Sequence, residues 1–138
     1  MKTAIIIILL SFICSKHTKT NTIDAEIPKL YNLTATVYSP CVAQCDSTPL
    51  ITACNSKINI KKLRKKKIRW VALSRDLLTR WGGSIDYGDS IYVVSGSKQG
   101  WWVVKDTMNK RYKNRIDFLT YNEKYFKEEI TIFVKKKQ

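Results

Sequence analysis

The chain consists largely of short apolar runs, rich in β-branched and aromatic residues, that alternate with turn-forming residues. This pattern limits the fold more than any other feature. No stretch has a long 3.6-residue period, so helix is expected only as short turns at 77–81, closed by Gly82-Gly83, and at 122–129. The segment 96–100 predicts a hairpin turn. The sequence therefore predicts a compact, mainly β barrel. Its strands are expected at 31–38, 70–73, 90–94, 101–104, 116–119 and 130–134, with a shorter candidate at 50–53.

The first fifteen residues have the features of a secretory leader. Lys2 gives a positive start, residues 4–13 are apolar and uncharged, and polar residues return at Ser15. The run is too short to span a bilayer as a helix. Cys14 stands where a bacterial lipoprotein has its lipidated cysteine, but ordinary cleavage near Cys14 or Ser15 fits equally well. We expect export to the periplasm, the cell envelope or the medium, with a polar tether at 16–30 and a folded domain at 31–138.

Charge restricts the class of binding partner. The chain has 25 Lys and Arg residues against 11 Asp and Glu residues, a net charge of +14. Such an excess attracts polyanions over long range. For an exported protein the expected partner is an anionic cell-envelope polymer rather than nucleic acid. The densest basic run, 61–67, is either a surface facing that polymer or simply a solvated face.

Cysteine and histidine usage disfavours several kinds of site. Once the leader is removed, Cys41, Cys45 and Cys54 remain, so at most one disulfide forms, Cys41–Cys45 or Cys45–Cys54, and one thiol stays free. The single histidine, His17, lies beside the leader. This disfavours both a Cys/His metal site and a Cys–His nucleophile. We expect no metal and no cofactor, which leaves carboxylates as the candidates for acid–base chemistry.

Three carboxylates lie beside apolar runs. Asp76 and Asp106 each follow such a run closely, Asp117 lies inside one, and a cationic loop separates the last two. Part-buried carboxylates near fixed charges are the ones whose pKa can be set for catalysis. Position alone favours a simpler interpretation, in which Asp76 and Asp106 cap turns and Asp117 pairs with Arg115.

Several short motifs occur in an order that resembles the 3D domain, a family named for its three aspartates. The family is found in membrane-bound lytic transglycosylase A and in small bacterial muralytic proteins. The resemblance covers about residues 33–134, with 106–117 its most specific part. The motifs lie at 38–40, 44–46 with 48–49, 52–53, 71–76, 87–89, 106–109 and 115–117.

The resemblance implies a six-stranded double-psi β-barrel with one or two short helices, related to the RlpA and expansin folds. It implies action on peptidoglycan glycan strands, and we expect the protein to be a monomer. The implied reaction is non-hydrolytic cleavage of the β-1,4 bond between N-acetylmuramic acid and N-acetylglucosamine, which leaves a 1,6-anhydro sugar. The family's aspartates fall on Asp76, Asp106 and Asp117, with Asp117 as the acid/base. Substrate binding is expected at Tyr38, Thr52, Arg75, Asn109 and Arg115.

Acid catalysis by one carboxyl requires a raised pKa at Asp117. We expect its apolar neighbours Ile116 and Phe118 and the negative Asp106 to raise that pKa. A cation, Arg111, Lys113 or Arg115, is expected to lower it. Aromatic side chains, including Tyr112, are candidates for stacking on sugar. Consecutive strand residues point to opposite faces, so only one of the pair at 101–102 can serve as a surface platform.

Two other functions stay open from the sequence. A non-catalytic cell-wall binding module of the same fold agrees with the small size and the large positive charge. A nucleic-acid-binding protein is favoured only by the 61–67 run and the net charge, and the leader argues against it.

Overall fold

The computed structural model describes residues 27–41, 43 and 47–138. Within these residues the protein is mainly β, with one α-helix of five residues and two short 3-10 turns. The predicted leader and most of the tether lie outside the described residues. The strands are β1 (Leu30–Tyr38), β2 (Trp70–Leu73), β3 (Ser90–Val93), β4 (Gly100–Thr107), β5 (Arg115–Leu119) and β6 (Glu128–Lys135); the helix is α1 (Ile60–Arg64), and the 3-10 turns are Arg75–Leu77 and Thr79–Trp81.

The six strands pair in a closed ring, in the order β1-β5-β2-β4-β3-β6. Two pairs are parallel, β1 with β5 and β2 with β4, and the other four are antiparallel. The pairing has an internal symmetry: exchanging β1, β2 and β3 with β4, β5 and β6 reproduces every pair with its direction. The chain thus places β2 between β4 and β5, although neither follows it directly in sequence.

The interior of the ring holds the main hydrophobic core. Strand alternation explains its composition, because in β3 Ile91 and Val93 are fully buried while Ser90 and Tyr92 are partly exposed. Fully buried side chains come from both halves of the chain, among them Val71 from β2 and Phe118 from β5. A closed sheet leaves no unpaired strand edge, which suits a small domain with little helix to cover one.

A second apolar cluster lies on the outer side of the sheet and is covered by α1. Leu63 of α1 packs there with Ile68, Ala72 and Leu119. The side chain of Asn59 accepts a hydrogen bond from the Lys62 N–H and so starts the helix. The sequence did not predict α1, because a five-residue helix with one buried leucine has no detectable period.

The predicted strands occur, and the 96–100 turn joins β3 to β4 as expected. The turn at 77–81 is also confirmed; Gly82 has a φ of +90°, and a Cβ on Gly83 would lie 2.2 Å from the Leu77 carbonyl carbon. The short strand at 50–53 is wrong, since only an isolated bridge at Ile51 forms there.

The helix predicted at 122–129 is also wrong. Glu128 and Glu129 pair with β1 as the first residues of β6. Asn122 has a left-handed φ of +52° and donates its N–H to the hydroxyl of Ser39. Strand pairing and this anchored turn outweigh the weak local preference for helix.

Candidate active site

Two of the three predicted aspartates lie in one row across the sheet. Thr36 of β1 is in register with Asp117 of β5, which is in register with Ala72 of β2. On its other side Ala72 is in register with Asp106 of β4. Residues directly opposite each other share a face. The small Ala72 side chain therefore separates two carboxylates whose backbones lie two strand spacings, about 10 Å, apart.

A β-bulge in β4 places Asp106 on this face. Trp102 and Val104 point into the interior, so simple alternation would also send Asp106 inward. The register shifts there, because Val104 pairs with Val71 while Ala72 pairs with Asp106, leaving Lys105 as the extra residue. Bulges redirect side chains in this way and are common beside functional sites.

Asp117 is a poorly solvated carboxyl that accepts a hydrogen bond from one side chain among the described residues. The hydroxyl of Thr36 donates to Asp117 Oδ1 at 2.9 Å. Burial raises the pKa of Asp117 from 3.8 to about 6; the Thr36 hydrogen bond and the charge of Arg115 oppose this, and the negative charge of Asp106 adds to it. A group with this pKa exchanges a proton near neutral pH, as a general acid must.

The predicted source of this burial was wrong in one respect. Ile116 and Phe118 point into the interior core, on the face opposite Asp117. The apolar groups on the outer face belong instead to the second cluster, which includes Ala72 and Tyr38. The signs expected for Asp106 and Arg115 are confirmed.

In the part of the chain that the structure describes, Asp106 is held by three donors. The Tyr38 hydroxyl donates to Oδ2 at 3.0 Å, and the backbone N–H groups of Ala53 and Thr107 donate to Oδ1 at 2.8 and 2.9 Å. The turn containing Ala53 is itself docked on the bulge, since the Cys54 N–H donates to the Lys105 carbonyl at 3.3 Å. The carboxylate is therefore fixed in position next to the row.

Asp76 occupies a different place. It lies in the 3-10 turn after β2, and its Oδ2 accepts the backbone N–H of Asn114 at 2.9 Å. Asn114 has a left-handed φ of +51° and directly precedes β5. Asp76 Oδ1 is buried with no hydrogen-bond partner among the described residues. Asp76 thus anchors the start of the strand that carries Asp117, and the structure does not bring it into the carboxylate row.

The predicted substrate-binding residues divide into two groups. Tyr38 and Arg115 lie beside the carboxylates. The Tyr38 hydroxyl donates to Asp106, and the charge of Arg115 acts to lower the pKa of Asp117. Thr52 is buried, and its hydroxyl oxygen accepts the Ser56 N–H inside a turn. Asn109 likewise accepts the Arg111 N–H within its own loop, and the Arg75 guanidinium lies over the Trp81 ring at 5.0 Å.

The tandem tryptophans behave as alternation predicts. Trp102 is buried against Phe118, with ring centres 4.7 Å apart. Trp101 is 46% exposed and lies beside Tyr92 and Phe133 on the outer face. This exposed aromatic row was missed by the sequence reasoning, because the cross-strand register that forms it cannot be read from separate runs.

A second acidic site lies at the 87–89 motif, where Asp89 contacts residues of the C-terminal segment. Asp89 is 1% exposed, and its carboxylate accepts the N–H groups of Asp86 and Lys137, each at 2.9 Å. It also forms an ion pair of 2.9 Å with Lys136. Burial acts to raise the pKa of Asp89, but these hydrogen bonds and the Lys136 charge together lower it.

Cys41 and Cys54 carry free thiols in the structure, so neither of the two predicted disulfides is formed. The Cys54 sulfur lies within hydrogen-bond distance of the hydroxyls of Thr52 and Ser56, at 3.4 and 3.2 Å, which places it inside its own turn. Cys45, which both predicted pairings require, is outside the described residues.

The described residues contain no group of three or more side chains suited to hold a metal ion. In the same part of the chain no helix is long and apolar enough to cross a membrane. The chain matches no protein-family model, and neither a curated protein nor a solved structure is significantly similar to it.

Proposed function

We propose that the protein is an exported lytic transglycosylase-like enzyme of the 3D-domain type that cleaves peptidoglycan. The bond cleaved is the β-1,4 linkage between N-acetylmuramic acid and N-acetylglucosamine. The single observation that carries the proposal is Asp117, a carboxyl whose pKa is raised to about 6 and which shares a row with the fixed carboxylate of Asp106. The resemblance of the ordered motifs supplies the substrate class.

We also propose that the closed sheet is a double-psi β-barrel. Its support is the internal symmetry of the pairing, in which β1–β3 and β4–β6 occupy equivalent positions around the ring. In such a fold the two parallel pairs are equivalent by the same symmetry. β2 and β5, one strand from each pair, are also paired directly with each other, antiparallel, at the centre of the row.

One carboxyl serves twice in the proposed reaction. Protonated Asp117 donates its proton to the glycosidic oxygen as the bond to the muramic acid C1 breaks and positive charge develops on that ring. The Asp117 carboxylate then removes the proton from the C6 hydroxyl of the same sugar. The C6 oxygen bonds to C1, the 1,6-anhydro ring closes, and Asp117 is again protonated.

The neighbours of Asp117 have supporting roles in this scheme. The negative charge of Asp106 stabilises the positive charge on the sugar and raises the pKa of the acid. Tyr38 and the Ala53 N–H keep Asp106 in place, and Asp76 positions the strand that carries the acid. We propose that Arg115 contacts the glycan and that Arg75, Asn109 and Thr52 shape the approach to the row. No cofactor or stable protein partner is required.

The alternative is a non-catalytic cell-wall binding module of the same fold. One observation favours it: two cavities lined by described residues, of about 290 and 530 Å³, are not lined by Asp106 or Asp117. A module of this kind would bind sacculi through charge and release no fragments.

Digestion of purified peptidoglycan, followed by mass spectrometry of the soluble products, tests the proposal. We expect 1,6-anhydro-muropeptides from the wild type, almost none from Asp117→Asn, and wild-type amounts from Asp86→Asn, a matched change outside the row. If Asp117→Asn releases as much as the wild type, the assignment of the acid is wrong. If wild-type protein pellets with sacculi but releases no fragments, the binding module is correct.

A further inference from the structure

A basic cavity of about 290 Å³ lies where β5 ends and β2 and β4 begin, apart from the carboxylate row. It opens between the end of α1, the turn joining β3 to β4, and the segment after β5. Its cationic lining residues are Arg64, Lys66, Arg69 and Lys98, and its single carboxylate is Glu123.

Arg69 is held in this cavity by neutral groups. Its Nε donates to the Trp101 carbonyl and its Nη2 to the Gln99 carbonyl, both at 2.9 Å. The guanidinium carbon lies 4.1 Å from the centre of the Trp102 ring. These contacts fix the orientation of the side chain but do not neutralise it. Of the described residues, none accepts a hydrogen bond from its remaining terminal nitrogen, Nη1.

Arg64, the last residue of α1, is oriented in a similar way. Its guanidinium lies over the Tyr121 ring, 4.4 Å from the centroid, and its Nη2 donates to the Tyr121 hydroxyl. The ring and the hydroxyl are again neutral, so the positive charge is retained. Two guanidinium groups oriented by neutral partners keep their charge and lose less orientational entropy when they bind an anion.

The other charges leave a positive excess. Lys98 forms an ion pair with Glu123, so these two charges cancel. Lys66, which has a left-handed φ of +54° just after α1, adds an exposed ammonium that forms no ion pair with any described residue. With four cations and one carboxylate, the lining has a formal excess of three positive charges.

We propose that the basic cavity binds a phosphate group of an anionic polyol-phosphate polymer of the cell envelope. The donors of Arg64, Lys66 and Arg69 come from three separate side chains rather than from one planar fork. A tetrahedral phosphate presents oxygens in several directions and suits such donors, whereas the two coplanar oxygens of a carboxylate suit a single fork.

A polymer is favoured over a free anion because the basic surface continues beyond the cavity. Lys61, Lys62, Lys65 and Lys67 are exposed on and next to α1 and do not line the cavity. A chain with regularly spaced phosphates would place one group in the cavity and its neighbours along these lysines. The proposal rests on the export proposed above but not on the lyase reaction.

The test compares two double variants that lose the same charge. Arg64→Gln/Lys66→Asn removes two cavity cations, and asparagine tolerates the left-handed backbone at 66. Lys61→Gln/Lys65→Gln removes two exposed cations of the same segment outside the cavity. Titration calorimetry of the purified proteins would use poly(glycerol phosphate), inorganic phosphate and a DNA oligonucleotide of equal charge, at one ionic strength. Thermal unfolding checks that both variants are folded.

We expect the cavity variant to bind poly(glycerol phosphate) at least ~20-fold more weakly, and the control variant less than ~3-fold more weakly. Inorganic phosphate should compete with the polymer for the wild type but not for the cavity variant. Release of anhydro-muropeptides from polymer-free peptidoglycan should be unchanged in both variants, so a failure here is distinct from a failure of the proposed lyase activity.

Four outcomes would overturn the proposal. Equal weakening in the two variants would mean diffuse attraction to the whole surface, and failure of phosphate to compete would remove the phosphate site. Tighter binding of DNA than of poly(glycerol phosphate) would assign the cavity to nucleic acid. Loss of muropeptide release in the cavity variant would make the cavity part of the glycan site.

Discussion

Asp89 and Asp117 are both carboxyls withdrawn from water, yet their surroundings shift their pKa values in opposite directions. Asp89 accepts two backbone N–H groups and the ammonium of Lys136, and its pKa is lowered. Asp117 accepts one hydroxyl, from Thr36, and burial raises its pKa to about 6. Burial alone therefore does not set the pKa of a carboxyl, because the hydrogen-bond donors around it decide the direction of the shift.

The two regions have different consequences for the protein. Asp89 joins the C-terminal segment after β6 to the turn before β3, so its charge stabilises the fold. Asp117 is less solvated in the folded protein than in the unfolded chain. Its negative charge therefore destabilises the fold above its pKa. Carboxyls with a perturbed pKa cluster at functional sites, and proton transfer is the role proposed for Asp117.

The largest effect expected is on catalysis. Asp117→Asn should lower the rate of muropeptide release by ~10³-fold, because an amide cannot donate and recover the proton. Asp89→Asn should leave the rate per folded molecule within about twofold. The measurement is initial rates on purified peptidoglycan, normalised to the folded fraction. Equal losses in the two variants would contradict the comparison.

The next largest effect is a loss of stability, and it is expected from the Asp89 variant rather than from the Asp117 variant. Asp89→Asn should reduce the free energy of unfolding by ~3 kcal/mol at pH 7, since it leaves the Lys136 ammonium beside an amide and weakens two backbone hydrogen bonds. Urea denaturation measures the change. Lys136→Met is the matched control; it should also destabilise the fold, by leaving the buried carboxylate without its cation.

A pH-dependent effect follows from the raised pKa of Asp117. Between its ordinary value of 3.8 and about 6, the folded protein holds a proton that the unfolded chain loses. The folded state therefore loses stability as the pH rises through this window, by up to ~3 kcal/mol at ~1.4 kcal/mol per unit.

Asp117→Asn removes that loss. Urea denaturation from pH 3.5 to 7.5 should show that the stability of the variant relative to the wild type increases as the pH rises. The increase should be complete above about 6. Asp89 contributes in the reverse sense, because its stabilisation is present above 3.8 and is lost as the pH falls below that value. A difference between wild type and Asp117→Asn that does not vary with pH would refute the raised pKa.

The smallest changes in pH dependence should come from the neighbours of Asp117. Asp106→Asn removes a negative charge and should lower the pKa of Asp117, moving the pH–rate profile to lower pH. Thr36→Val removes a hydrogen bond to the carboxylate and should move the profile to higher pH. Opposite shifts support the row, and shifts in the same direction would contradict it.

Local sequence patterns predicted most of the strands. Runs such as 90–94 alternate clearly and are bounded by glycines or polar turns, so their existence needs no tertiary information. The helix at 60–64 was not predicted, and the helix predicted at 122–129 is wrong, because tertiary contacts decide the structure of both segments. Helix α1 forms where Leu63 packs in the second apolar cluster, and Glu128 belongs to β6 because it pairs with β1.

The candidate site was predictable only in part. Asp106 and Asp117 stood out because each lies beside an apolar run in a basic chain. Their common face could not be predicted, since it depends on β2 lying between β4 and β5 and on the bulge at Lys105. The position of Asp76, which anchors Asn114 rather than joining the row, likewise depends on a contact between residues far apart in sequence.

Titration of the aspartate carboxyl carbons by nuclear magnetic resonance tests the central claim most directly, because Asp117 and Asp89 are compared in one sample. The structure predicts that Asp117 titrates at about 6 and that Asp89 titrates below its ordinary value of 3.8. Titration of Asp117 near 4, or of Asp89 above its ordinary value of 3.8, would contradict the account. Asp117 would then not be distinguished as a proton-transferring acid from Asp89 as a structural carboxylate.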